Sequence, residues 1–128
     1  MADFARTIAD FVADTKAAIE QVCLGAVLEV GDRLVMRSPT GSGHFRANWR
    51  FSMDAPDLTV VAGGGRPARP SFSGSVVGRS AFWCNSVSYG PALEEGSRGR
   101  RPGGFVRLTA QEFRAIVAAE AARSGGPG

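Results

Sequence analysis

The sequence predicts an α+β domain in which a long N-terminal helix and a C-terminal helix pack on a small antiparallel sheet, with extended Gly/Arg-rich loops. Three observations carry this reading: an apolar repeat at steps of three and four before Ser38, an apolar/polar alternation around Trp49, and two stretches rich in glycine and arginine. The 128 residues fit one domain spanning 1–128. With 44% hydrophobic and 21% charged residues, wholesale disorder is excluded. No apolar run approaches the roughly 18 residues of a membrane span, so no membrane partner is expected.

Phe4, Ile8, Phe11, Thr15, Ile19, Val22, Ala26, Val30 and Leu34 form one helical stripe, with Asp3, Arg6, Asp10, Asp14, Lys16 and Glu20 between them. Ser38-Pro39 supplies the stop, since proline brings no amide for a further turn. Unbroken from Asp3 to Arg37, the helix is about 52 Å long at 1.5 Å per residue. A compact domain of this size is roughly 36 Å across. The helix therefore either bends, at Gly25 or Gly31, or overhangs its own domain. An overhanging apolar stripe needs a second subunit to cover it.

Beyond a small-residue turn at 38–43, Trp49, Phe51 and Met53 alternate with Asn48, Arg50 and Ser52, the pattern of a half-buried strand. Asp54 to Asp57 is a turn, and Leu58 to Ala62 continues the alternation, so 49–53 and 58–62 are expected to pair as an antiparallel hairpin. Residues 63–75 contain four Gly, two Pro and three Ser besides Arg66 and Arg69, and read as a projecting flexible loop. Val76-Val77 is a short strand candidate and Ala81 to Asn85 a better one. Pro91 to Gly96 reads as one helical turn, and 97–104, with Arg98, Arg100 and Arg101, as a second projecting loop. The last helix has two possible starts: a capping box at Thr109-Ala110-Gln111-Glu112, or a point near Gly103 that places Phe105, Leu108, Phe113, Ile116 and Val117 near one face. It ends by Arg123, and 124–128 reads as a disordered tail.

The net charge of +3 divides unevenly along the chain. Residues 1–32 carry six acids against Arg6 and Lys16, a net −4; residues 33–128 carry thirteen arginines against six acids, a net +7. Such polarity suits head-to-tail self-association as well as nucleic acid, because complementary fields steer either partner. Arg66, Arg69, Arg98, Arg100 and Arg101 are candidate phosphate contacts, with Phe72 as a stacking surface, or else forked partners for the acids of the first helix. No recognition helix or RNA-binding signature accompanies them.

Catalytic constellations are missing from the pattern. His44, the single histidine, sits in a Gly-rich turn with no evident orienting partner and reads as an exposed loop residue. Glu94 and Glu95 are consecutive and point apart on a helix. Lys16 lies in no phosphate-binding loop, and 41–46 fails as a dinucleotide fingerprint. Cys23 and Cys84 are far apart in apolar surroundings, without a CxxC pair, and read as buried free thiols. The acidic N-terminus is unlike a secretory signal, so a reducing cytoplasm is the expected site of synthesis. No enzyme activity, metal or cofactor is expected.

Three segments resemble, in order, the tail-completion or neck proteins of tailed bacteriophages. Ser38-Pro39-Thr40-Gly41-Ser42-Gly43-His44-Phe45-Arg46-Ala47-Asn48-Trp49 resembles that family's SPVDTGxxRxxW signature. Asn85-Ser86-Val87-Ser88-Tyr89-Gly90-Pro91-Ala92-Leu93-Glu94-Glu95-Gly96 resembles NNxxYAxxLExG, and Pro102-Gly103-Gly104-Phe105-Val106-Arg107-Leu108 resembles the PAGMVR opening of the last helix. With the long first helix, the likeness runs from about Asp3 to Ala121. Pro39, Gly43, Arg46, Trp49, Tyr89, Leu93, Glu94, Gly96 and Arg107 are the motif positions it singles out. Gly41-Ser42 stands where the family has Asp-Thr, so capping at that turn falls to Ser42 or is absent, and 63–79 is poorer in regular structure than the likeness implies.

The resemblance implies a virion structural protein whose copies form a ring, a hexamer or dodecamer, at the head–tail junction, assembled in the host cytoplasm. Its implied partners are further copies, the head connector or head-closure protein, and the tail terminator or tail tube protein, with DNA contact in the lumen a secondary expectation. It implies that Gly43 turns the chain from helix to strand, that Trp49 and Phe51 face the core, and that Tyr89 and Leu93 anchor the turn before the second loop. Ring contacts are expected at Asp10, Asp14, Ile19, Glu20 and Val22 on the first helix and at Arg66, Arg69, Arg98, Arg100 and Arg101. A tail terminator or head-closure ring is the nearest alternative; a nucleic-acid-binding module using the arginine loops is the alternative of another class.

Overall fold

The first helix, α1, runs without interruption over Ala2–Arg37 in the computed structural model, which describes residues 2–41, 43–96 and 103–123. It contains no proline, is rich in alanine, and carries Asp3 in its first turn and Arg37 in its last, both favourable to the helix dipole. Ser38 ends it: its amide donates to Leu34 O and Val35 O, and its hydroxyl donates to Leu34 O. Gly25 and Gly31 are not bends. A Cβ at Gly31 would run into the Trp83 indole, and one at Gly25 into the Glu120 carboxylate, so both serve as seats for neighbours.

A short helix the sequence did not announce, α2 (His44–Ala47), follows the turn. Gly43 precedes it at φ 83°, so this glycine turns the chain from one helix into another, and the strand begins only afterwards. Strand β1 (Arg50–Met53) pairs antiparallel with β2 (Ala81–Cys84), with Phe51 opposite Trp83 and Met53 opposite Ala81. Helices α3 (Gly90–Glu95), α4 (Phe105–Gln111) and α5 (Phe113–Arg123) complete the chain. The architecture is the expected α+β arrangement of a long first helix and C-terminal helices around a two-stranded sheet.

The expected hairpin of 49–53 with 58–62 does not form. Asn48, fully buried, reaches across with its side-chain amide, accepting from Val61 N at 2.7 Å and donating to Val61 O at 3.1 Å. Thr59 N is taken by Asp57 Oδ1. These side chains supply what a paired strand would have supplied, and β1 is left to β2. Leu58 and Val60 consequently face solvent. Val76-Val77 is no strand either, because the Glu20 carboxylate accepts from both amides.

Residues 63–75 have no regular structure, yet they do not simply project. Phe72 packs on Phe51 with ring centroids 5.2 Å apart, Gly63 O meets the His44 ring at 2.8 Å, and Ser75 Oγ donates to Glu20. Arg79 secures the far end by donating to both carboxylate oxygens of Asp54 and to the carbonyls of Ser73 and Ser75. Most of the second expected loop, and the 124–128 tail, lie outside the described residues.

The core is built where the three motif segments meet. Leu34, Phe45, Trp49, Val87 and Phe105 are buried together, with Val30, Val35, Trp83 and Leu93 against them. Phe45 is edge-to-face with both Trp49 and Phe105, at 5.9 Å in each case. Each such side chain contributes about 1.5–3 kcal/mol by leaving water. The Trp49 indole N–H donates to the buried Ser38 hydroxyl at 2.9 Å, and Arg46 donates to Ser38 O and Met36 O, closing the helix–turn–helix corner.

Glu94 decides where the last helix starts. Its carboxylate accepts from Val106 N at 3.0 Å and Arg107 N at 3.1 Å, covering free amides of the first turn, so the helix begins at Phe105. The Thr109 capping box is unused: Thr109 is buried inside α4 and its hydroxyl bonds Phe105 O. Gly103 lies against the backbone of 94–96, where any Cβ would strike Glu94 O. Hydrogen bonds from Glu112 N to Leu108 O and Ile116 N to Glu112 O carry α4 into α5.

Candidate functional site

The first helix divides into two halves with different surroundings. From Val22 onward one side of it is covered: α5 lies along it, with Ile116 and Ala26 buried, and Trp83 Nε1 donates to Val27 O at 3.0 Å, while Leu28 and Met36 on the other side stay exposed. From Asp3 to Ile19 every residue is exposed. Phe4 and Phe11 are each 68% exposed, and Ile8, Val12 and Ile19 lie open beside them. Contiguous bare apolar surface of more than a few hundred Å² is uncommon on a monomer, and where it occurs it is often a contact surface. Thr15, in the same stripe, donates its hydroxyl to Phe11 O at 2.8 Å and so presents no unmet polar group.

Where the stripe reaches the body it enters an apolar groove of about 360 Å³ between α1, β2 and α5, lined among others by Val22, Val27, Val76, Trp83, Phe113 and Val117. Phe113, 50% exposed, stands at its edge. The partly buried Cys23 lines it, a free thiol, as is the partly buried Cys84. Both were expected to be buried outright.

An ionic cluster holds the groove's two helices together. Arg33 Nη1 and Arg37 Nη1 each lie 2.7 Å from Glu112 Oε1, and Arg37 Nη2 donates to Glu112 Oε2 at 2.9 Å. Arg33 also pairs with Glu29 one turn back. Hydrogen bonds from Arg37 and then Arg33 hold the Glu112 carboxyl at about 2, well below its ordinary 4.5. The Val76 amide, with Ser75 and Val77, likewise lowers Glu20.

The residues expected at ring contacts separate into four groups. Asp10, Asp14 and Ile19 stand on the exposed half of α1. Val22 is half-buried in the groove, and Glu20 is engaged within its own chain by the 75–77 turn, so its carboxylate is a clamp on the fold. Arg66 and Arg69 are exposed. Arg98, Arg100 and Arg101 lie outside the described residues, as does Ser42.

Of the motif positions, Gly43, Arg46, Trp49, Leu93, Glu94 and Gly96 build the corner and the helix start described above. Pro39 is half-buried beside Ser38, and Arg107 is exposed on α4. Tyr89, expected as an anchor, is 44% exposed, its ring 6.2 Å from that of Phe45. His44 is half-buried at the start of α2, with its ring on Gly63 O and near the Asn48 amide. From the sequence, Ser38 has only a stop role, Asn48 a place in the strand alternation and Glu112 a place in a capping box; their long-range bonds leave a sequence signal only where the partner segment is already known.

Among the described residues no group of three His, Cys, Asp or Glu is arranged to hold a metal ion, and no helix is long and apolar enough to cross a membrane. No protein-family model, curated protein or solved structure matches the chain.

Proposed function

We propose that this chain is a structural subunit of a tailed phage or phage-like particle, forming with its copies a ring at the head–tail junction and performing no catalysis. The observation that carries the reading is the unpartnered apolar half of α1, continuous with a stripe that is covered further along the same helix. The meeting of the three phage-like segments in one core gives the resemblance physical sense, because residues far apart in the chain are held together there. The head connector or head-closure protein on one side and the tail terminator or tube on the other are the proposed neighbours.

Electron microscopy of purified particles, with antibody against this chain, is expected to label the neck. Absence of the protein from intact particles sinks the proposal. Deletion separates the ring positions: full heads beside finished, unjoined tails mark a completion protein, whereas overlong tails mark a terminator.

A further inference from the structure

The stripe on the exposed half of α1 has a counterpart elsewhere on the molecule. Phe4, Ile8, Phe11 and Thr15 recur at steps of four, three and four. Along the last helix Val106, Ala110, Phe113 and Val117 recur at the same steps, and Val106, Ala110 and Phe113 are exposed. Each row spans about 16 Å at 1.5 Å per residue, so the two can interdigitate along their whole length.

The borders of the two rows are opposite in charge. Asp3, Asp10 and Asp14 run along one side of the α1 row; Arg107 and Arg114, seven residues apart, run along one side of the other. All five are exposed, and none forms an ion pair among the described residues. In a parallel arrangement the acidic border of one helix faces the basic border of the other; an antiparallel one separates them.

The two rows cannot meet within one chain, because the last helix is already fastened to the inner half of α1 through Ile116, Glu112 and Arg37. We propose that the exposed half of α1 docks, parallel, on the Val106–Val117 row of a second copy, with Asp3 facing Arg107 and Asp10 and Asp14 on either side of Arg114. The contact is heterologous, each copy giving one helix and receiving another, and so propagates around a ring. The proposal rests on the ring-subunit reading above and names the surfaces that reading requires.

Complementary variants test it. Phe11→Asp disables the donated helix and Phe113→Asp the receiving row; each alone is expected to sediment as a monomer with wild-type circular dichroism. Mixed, they are expected to form a heterodimer and nothing larger, since one intact donor then meets one intact receiver. Should Phe113→Asp fail to fold, charge reversal takes its place. Asp14→Arg or Arg114→Asp alone weakens self-association about tenfold, and the two in one chain restore it. A wild type that stays monomeric throughout a concentration series to millimolar, a mixture without heterodimer, or a double reversal no better than the single ones overturns the docking. Neck labelling is independent: assembly unaffected by Phe11→Asp in a protein found at the neck defeats the docking alone, and docking in a protein absent from particles defeats the function alone.

Discussion

Arg37, the last residue of α1, and Glu112, at the junction of α4 and α5, meet at 2.7 Å across 75 positions of sequence. With Arg33 this pair joins the long helix to the last one, and it stands beside the groove that ends the exposed stripe.

Acid should loosen this junction. The folded Glu112 carboxyl titrates at about 2 against an ordinary 4.5, so it binds a proton less readily folded than unfolded. Its contribution is complete above the unfolded value and is lost as pH falls through the folded one. The melting temperature is expected to fall between about pH 5 and pH 2, and Glu112→Gln to melt lower at neutral pH with a flatter profile over that interval. An unchanged slope in the variant would remove Glu112 from the account.

Gly31→Ala sets two effects against each other. Alanine favours an exposed helix by about 1 kcal/mol over glycine, but overpacking costs about 1–3 kcal/mol, and here the new methyl meets the Trp83 ring. Net destabilisation by urea is expected. In a Trp83→Phe background, which removes the obstructing six-membered ring of the indole, the same substitution should become neutral or stabilising.

Ser38→Ala leaves the Trp49 indole N–H without its acceptor inside the core. An orphaned buried donor costs about 1–3 kcal/mol. Chemical denaturation followed by tryptophan fluorescence would read the loss, and a cost under about 0.5 kcal/mol would show that the corner does not depend on this bond.

Arginine contacts with neighbours and with DNA differ in salt dependence. If the arginines serve chiefly as interface material, the purified protein is expected to retain no duplex DNA at physiological salt. Retention that falls steeply with salt, and disappears when Arg66, Arg69, Arg98, Arg100 and Arg101 become Ala, would instead favour the nucleic-acid reading.

The long helix was legible from Phe4 to Leu34 because its signal is local: each turn repeats the pattern of the one before. Strand β1 was legible for the same reason, but its partner was not. Leu58 and Val60 alternate as well as Phe82 and Cys84 do, and alternation states which residues share a face without stating which strand lies alongside. The buried amide of Asn48 took the 58–62 segment, and Trp83, facing Phe51, took the sheet position. Length arithmetic posed a bend or an overhang, and the unbroken α1 decided between them, whereas the matching row on the last helix required knowing that α4 and α5 are continuous in hydrogen bonding and that Ile116, not Phe113, faces inward.

The sequence by itself determined the extent of the first helix's apolar repeat, the division into an acidic first segment and a basic remainder, and a stripe too long for one compact domain unless the helix bends. Those properties depend on neighbours three or four positions apart and on simple counts. Only the tertiary structure decided which strand pairs with β1, that Glu20 and Glu94 serve backbone amides, and that Gly25 and Gly31 seat side chains. The reason is competition: a backbone amide or a carboxylate accepts whichever partner the whole chain brings nearest, and that choice is made between segments tens of residues apart.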